Sequence, residues 1–180
     1  MPATFRLTLV QANPTVGDLV GNAALAVAAW QQGKAAGADL VALTEMFITG
    51  YQTQDLIMKP AFAKAALAQL ALLAAACADG PALGIGGPAL QEGKLYNAYH
   101  ILKDGQIAAT VLKHELPNDS VFDEKRIFTP ADIHGPIPIG PLRVGIPICE
   151  DAWHPDVCET LQTAAAEYES DPFLSNVIHT

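Results

Sequence analysis

Between Lys94 and Leu112 the sequence alternates apolar and polar residues on either side of Lys103-Asp104-Gly105. An Asp-Gly pair between two such runs predicts a tight antiparallel hairpin, because the turn that best fits strand twist needs positive φ at its centre. The flanking segments have to be fitted around that hairpin. Phe5 to Gln11 alternates and ends at Asn13-Pro14, a strand followed by a turn. Asn22 is placed to cap a helix running to about Ala36, with Gly37 as its stop. Leu40 to Leu43 reads as a short buried strand leading to Glu45, and Asp55 to Met58 as a short connecting passage. Pro60 suits a first helical turn, and Ala61 to Ala78 is a helix rich in Ala and Leu, ended by Asp79-Gly80-Pro81. Ala82 to Ile85 is a short strand entering Gly86-Gly87-Pro88. After the hairpin, Pro117 to Pro141 reads as a long loop, Leu142 to Ile148 as an apolar strand, and Asp156 to about Ala166 as a helix. Strands and helices alternate around a central hairpin, which predicts a layered α/β fold.

Composition narrows the function classes. With 180 residues, half of them apolar and 16% charged, the chain has the makeup of a folded domain rather than a disordered one. A net charge of −9 without a basic patch argues against nucleic acid and against anionic membrane surfaces. Three cysteines, with no CxxC and no HExxH, predict neither a disulfide framework nor a metal site. No apolar run reaches transmembrane length and Met1 to Arg6 is no leader, so the cytoplasm is the expected compartment.

Glu45, Lys113 and Cys149 each stand just after an apolar strand, and strand C-termini are where ligand sites gather in α/β sheets. Singly, each has an ordinary explanation. Cys149 suits an inert core thiol, Lys113 a surface lysine at a strand end, and Glu45 a loop or helix-start carboxylate. As a set they have chemistry. A thiol is mostly protonated at neutral pH, and a carboxylate can take its proton as attack begins. An ammonium between them relieves the charge repulsion and can stabilise the oxyanion of a tetrahedral intermediate. Such a set suits acyl transfer from an amide through a thioester.

The residues around these three carry a family resemblance. Leu43-Thr44-Glu45-Met46-Phe47-Ile48-Thr49-Gly50-Tyr51 resembles the glutamate motif of the nitrilase, or carbon–nitrogen hydrolase, superfamily. Leu112-Lys113-His114-Glu115-Leu116-Pro117-Asn118 resembles its lysine motif, and Gly145 to Trp153 its cysteine elbow. Cys149-Glu150-Asp151-Ala152-Trp153, Val121 to Arg126 and Gly50 to Asp55 look like one branch, the glutaminase domain of bacterial glutamine-dependent NAD synthetases. The resemblance implies a nitrilase-type α-β-β-α sandwich. It implies glutamine as substrate, with Glu45 as general base, Lys113 as electrostatic stabiliser and Cys149 as nucleophile. It also implies Tyr51, Phe122 and Glu150 as substrate-binding residues and Glu124 as a supporting carboxylate. Tyr51 and Phe122 equally suit packing aromatics, and Glu150 a helix cap. No cofactor is expected for this domain. In the family, ATP and Mg belong to a separate synthetase domain, the partner that receives the ammonia, and the complete enzyme is a homo-oligomer.

The chain departs from the pattern in places. Thr44 replaces the usual Pro, and Asp119 stands where the family has a pocket tyrosine. Thr163 to Thr180 reads as a foreign tail without the next family strand or pocket loop. The expected division is therefore a partial glutaminase domain over 1–162, a tail over 163–180 and no synthetase domain, leaving the sandwich incomplete at the C-terminus. Two alternatives stay open: a catalytically dead remnant or interaction module of the same fold, and a family amidase acting on another amide.

Overall fold

The computed structural model describes residues 4–166 and 173–175. The first sheet has five strands in sequence order: β1 (Leu7–Leu9), β2 (Leu40–Ala42), β3 (Ala82–Gln91), β4 (Lys94–Lys103) and β5 (Gln106–Leu112). β1, β2 and β3 are parallel, whereas β3, β4 and β5 form an antiparallel meander. Parallel neighbours need crossovers, and α1 (Leu19–Ala35) and α2 (Pro60–Ala76) supply them. The predicted hairpin turn forms with φ of 51° at Asp104 and 82° at Gly105. A second turn of the same kind, Glu92-Gly93, joins β3 to β4.

The second sheet has three strands: β6 (Ile137–Ile139), β7 (Leu142–Gly145) and β8 (Phe173–Ser175). β6 and β7 are antiparallel, β7 and β8 parallel. α3 (Glu124–Ile127) is a single turn in the loop ahead of β6, and α4 (Pro155–Ala166) connects β7 to β8 and lies against both.

Strand alternation sorts the side chains into layers. Val41, Leu43, Leu83 and Ile85 face the helices, where they pack with Ala26, Trp30, Leu70 and Leu73. Leu40, Ala42, Tyr99, Ile101 and Val111 face the other way and meet Ile137, Ile139 and Val144 of the second sheet. Helices, sheet, sheet and α4 give the sandwich expected from the sequence. Among the described residues no helix is long and apolar enough to cross a membrane.

The structure revises several local readings. Asp18, not Asn22, caps α1, its side chain accepting from Gly21 N at 2.8 Å. Asn22 lies buried one turn inside and donates to the carbonyls of Thr15 and Ile48, so its polarity ties the helix to the Glu45 loop. β3 does not stop at Ile85 but runs through Gly86-Gly87-Pro88. β2 pairs with it only as far as Gly84, so Pro88 meets no ladder partner on that side. The Pro117–Pro141 loop holds α3 and β6, both too short to show a period. α4 runs to Ala166 as the sequence predicts, into the stretch read as a foreign tail, and β8 adds a strand there that sequence reading missed in a run of three residues. The rest of that stretch, 167–172 and 176–180, lies outside the described residues.

Candidate active site

Glu45 stands on the loop leaving β2, and that loop is laced to β3. Leu43 N donates to Gly84 O, Gly86 N to Thr44 O and Ile48 N to Gly86 O. The lacing is so close that a Cβ on Gly86 would press on Met46 N and lie 2.6 Å from Glu45 Cα. Lys113 follows β5 directly, and its N–H extends the pairing with β4 by donating to Asn97 O at 2.9 Å. Glu124 opens α3. Three separate segments thus deliver a carboxylate, an ammonium and a second carboxylate to one buried point.

There Lys113 Nζ, fully buried, lies 2.7 Å from Glu45 Oε1 and 3.0 Å from Glu124 Oε2. Asn97 Nδ2 donates to Glu45 Oε1 at 2.7 Å and approaches both Glu124 oxygens at 3.4 Å. Tyr51 OH donates to Glu124 Oε1 at 3.3 Å. Burial alone would lower the Lys113 pKa, but Glu45 and Glu124 outweigh it and hold it above the ordinary lysine value. Burial raises Glu124, against the pull of Lys113, with Glu45 adding to the rise. Tyr51 is pushed up by burial first and then by both carboxylates, so its phenol stays protonated as a donor.

Cys149 comes to the same point from the second sheet. β7 ends at Gly145, Pro147 lacks the N–H to continue its ladder, and after Ile148 the chain turns sharply into a 3-10 turn over Cys149–Trp153. Cys149 itself has φ of 48°, a left-handed conformation that costs a non-glycine residue roughly 1–3 kcal/mol and survives only where its surroundings fix it. The half-buried thiol is raised to about 11, by burial first and then by Glu45, with Lys113 pulling the other way. The resting group is therefore a neutral thiol. Glu45 Oε2 is buried without a hydrogen-bond partner among the described residues, and the Glu45 charge is one of the causes that raise the thiol.

The other sequence-predicted residues divide. Tyr51 and Phe122 stack at a tilt, ring centroids 6.4 Å apart. With Tyr51 and Glu124, residues Met46, Thr53 and Phe128 wall a cavity of about 220 Å³ beside the ion cluster; Cys149 is not among its walls. Glu150 points to His154, with Oε1 3.5 Å from Nε2. Asp119 is exposed. Cys77 is buried at the end of α2 and Cys158 sits on α4. His114, Glu115 and Asp156 bring one ligand atom each within 4.8 Å of one another, but they are partly to fully exposed and carry no metal assignment on their own.

Sequence reasoning missed Asn97 and Asp151. Asn97 shares a strand face with Leu95, Tyr99 and Ile101, and a polar residue on an apolar face was the available signal. Asp151 follows Ile148 by three residues, the spacing of a side chain that turns back to cap.

The carbon-nitrogen hydrolase family profile matches residues 6–169. A glutamine-dependent NAD(+) synthetase of Rhodobacter capsulatus is 59% identical over 167 residues, which is 93% of this chain and 30% of that protein. The glutamine-dependent NAD+ synthetase of Acinetobacter baumannii superposes with a TM-score of 0.81 at 29% identity, over 96% of this chain and 32% of that one. An amidase from Nesterenkonia sp. superposes at 0.74 with 21% identity, covering 96% of this chain and 64% of the amidase, a likeness of fold alone. The chain spans about 30% of the length of the Rhodobacter relative.

Proposed function

The chain belongs to the carbon-nitrogen hydrolase family, and from that premise we propose that it hydrolyses the side-chain amide of glutamine through a Cys149 thioester, as the ammonia-producing part of a glutamine-dependent NAD synthetase. The observation that carries this reading is one buried ammonium, Lys113, held between Glu45 and Glu124 at the point where the strained Cys149 turn arrives.

The steps follow from the charges. Glu45 takes the thiol proton as Sγ attacks the amide carbon, so no thiolate has to exist beforehand. Negative charge moves to the carbonyl oxygen, where the Lys113 ammonium and the backbone N–H after the nucleophile stabilise it. Glu45 returns the proton to the leaving nitrogen, the C–N bond breaks and ammonia departs, leaving a thioester. Water then attacks with its proton passing to Glu45, glutamate leaves, and the proton returns to Sγ. Tyr51 and Phe122 border the substrate on this reading, and Glu150 would reach its α-amino group on giving up His154. ATP and Mg would act in the synthetase part, which takes the ammonia to the dinucleotide; this part needs neither.

The test is ammonia release from glutamine by the purified chain, beside asparagine and simple amides. Release from glutamine that Cys149→Ala abolishes supports the reading. Release unaffected by that change, or a preference for another amide, refutes it.

A further inference from the structure

We propose that Asp151 is a positioning residue that locks the Lys113 loop to the Cys149 turn. Asp151 is 2% exposed, and its carboxylate accepts three backbone N–H groups, two from a distant segment and one from its own turn. Oδ1 takes His114 N at 3.1 Å and Glu115 N at 2.7 Å, and Oδ2 takes Ile148 N at 3.0 Å. The first two follow Lys113 directly, and the third directly precedes Cys149. Asp151 N closes the turn by donating to Ile148 O at 3.1 Å.

The placement matters because the two segments belong to different sheets. Lys113 leaves β5 of the first sheet and Cys149 leaves β7 of the second, and no strand pairing joins those sheets among the described residues. Between them lies apolar packing, which is strong but non-directional and fixes no register by itself. Charge-assisted hydrogen bonds are directional and roughly twice as strong as neutral ones, so a buried carboxylate accepting several N–H groups fixes their relative placement. A carboxylate that only capped the 3-10 turn would need Ile148 alone. Contacts to His114 and Glu115, 37 and 36 residues away, do something else. Burial raises the Asp151 pKa, while the N–H groups and Lys113 hold the ionised form against it.

The consequence for turnover rests on the hydrolase reading above; the consequence for the thiol does not. Asp151→Asn keeps the shape but sets an NH2 group against one set of N–H donors, so either the turn or the lysine loop must let go. The Cys149 thiol then moves away from Glu45 and toward water. Its titration, followed by iodoacetamide alkylation against pH and mapped by mass spectrometry, is expected to fall from about 11 toward the ordinary thiol value. At neutral pH the larger thiolate fraction, offset by weaker nucleophilicity, makes alkylation of Cys149 about tenfold faster. Glutamine turnover falls about a hundredfold, the usual cost of a misplacement near 1 Å. Asp151→Glu, which keeps the charge but lengthens the side chain, shifts the titration in the same direction by less. Buried Cys77 stays protected in both. An unchanged Cys149 profile in both variants overturns the proposal. Equal gain at Cys77 also overturns it, because Asp151 would then support the fold at large. A parent chain without glutaminase activity would refute the proposed function and leave the thiol comparison readable.

Discussion

The site is an exercise in placing one positive charge among several negative ones. Lys113 is buried completely, and no solvent would answer for its partners if it were removed. Lys113→Met keeps the volume of the stem but leaves Glu45 and Glu124 facing each other without a counter-ion. Breaking a buried pair in this way costs roughly 3–5 kcal/mol. The loss should depend on pH with a definite sign. Glu124 already has a raised pKa, and without the opposing pull of Lys113 it holds its proton still more tightly in the folded state than in the unfolded one. Folding is then favoured at low pH and penalised as pH rises. Urea unfolding at pH 5 and pH 8 is expected to show the larger deficit at pH 8, and equal deficits would show that the two carboxylates are not coupled through the lysine.

At the scale of elements, the Glu45 loop and β3 are one structure. Gly86 is the contact where the backbones meet, and a methyl group there has only main chain to push against. Gly86→Ala should cost about 3 kcal/mol or more in a thermal melt and displace Glu45, with loss of any amide hydrolysis. A melt within 1 °C of the parent, with the site intact, would mean the loop yields more easily than its lacing suggests. This element also shows what sequence can and cannot disclose. Glu45, Lys113 and Cys149 were legible because each ends an apolar run and each lies in a motif. The α/β layering and the Asp104-Gly105 turn were legible from period and turn chemistry. Gly86-Gly87-Pro88 looked like the end of a strand because glycine and proline are usual breakers, yet Gly86 answers to the backbone of the Glu45 loop, Gly87 to the Ile48 side chain and Pro88 to a missing ladder partner. Asn97 and Asp151 act on residues far away in sequence, and no local pattern encodes that. β6 and β8 are three residues each, below the length at which alternation means anything.

Over the whole molecule, stability depends on the two sheets sharing the core that holds Tyr99, Ile101 and Ile139. Ile139→Ala in β6 removes packing from that core and should cost roughly 2–5 kcal/mol. The expected signature is cooperative. In a Trp153→Phe background, Trp30 alone reports the helix-facing layer, and its fluorescence should lose its transition at the same shifted urea midpoint as the far-UV circular dichroism. Separate midpoints would mean the layers unfold independently. The ion cluster described above bears on how such a molecule is made. The Lys113–Glu45 contact joins residues 68 apart, and the Asn97–Glu45 contact residues 52 apart. Each charge remains hydrated in the unfolded chain, and stripping its water before its partners arrive costs several kcal/mol. The centre of the site cannot therefore seed the fold. β2, β4 and β5 must already be aligned, with α3 in place, before the charges can leave water together. Chains rich in such distant contacts form slowly, so the residues that carry the chemistry are among the last to be desolvated on the way to the native state.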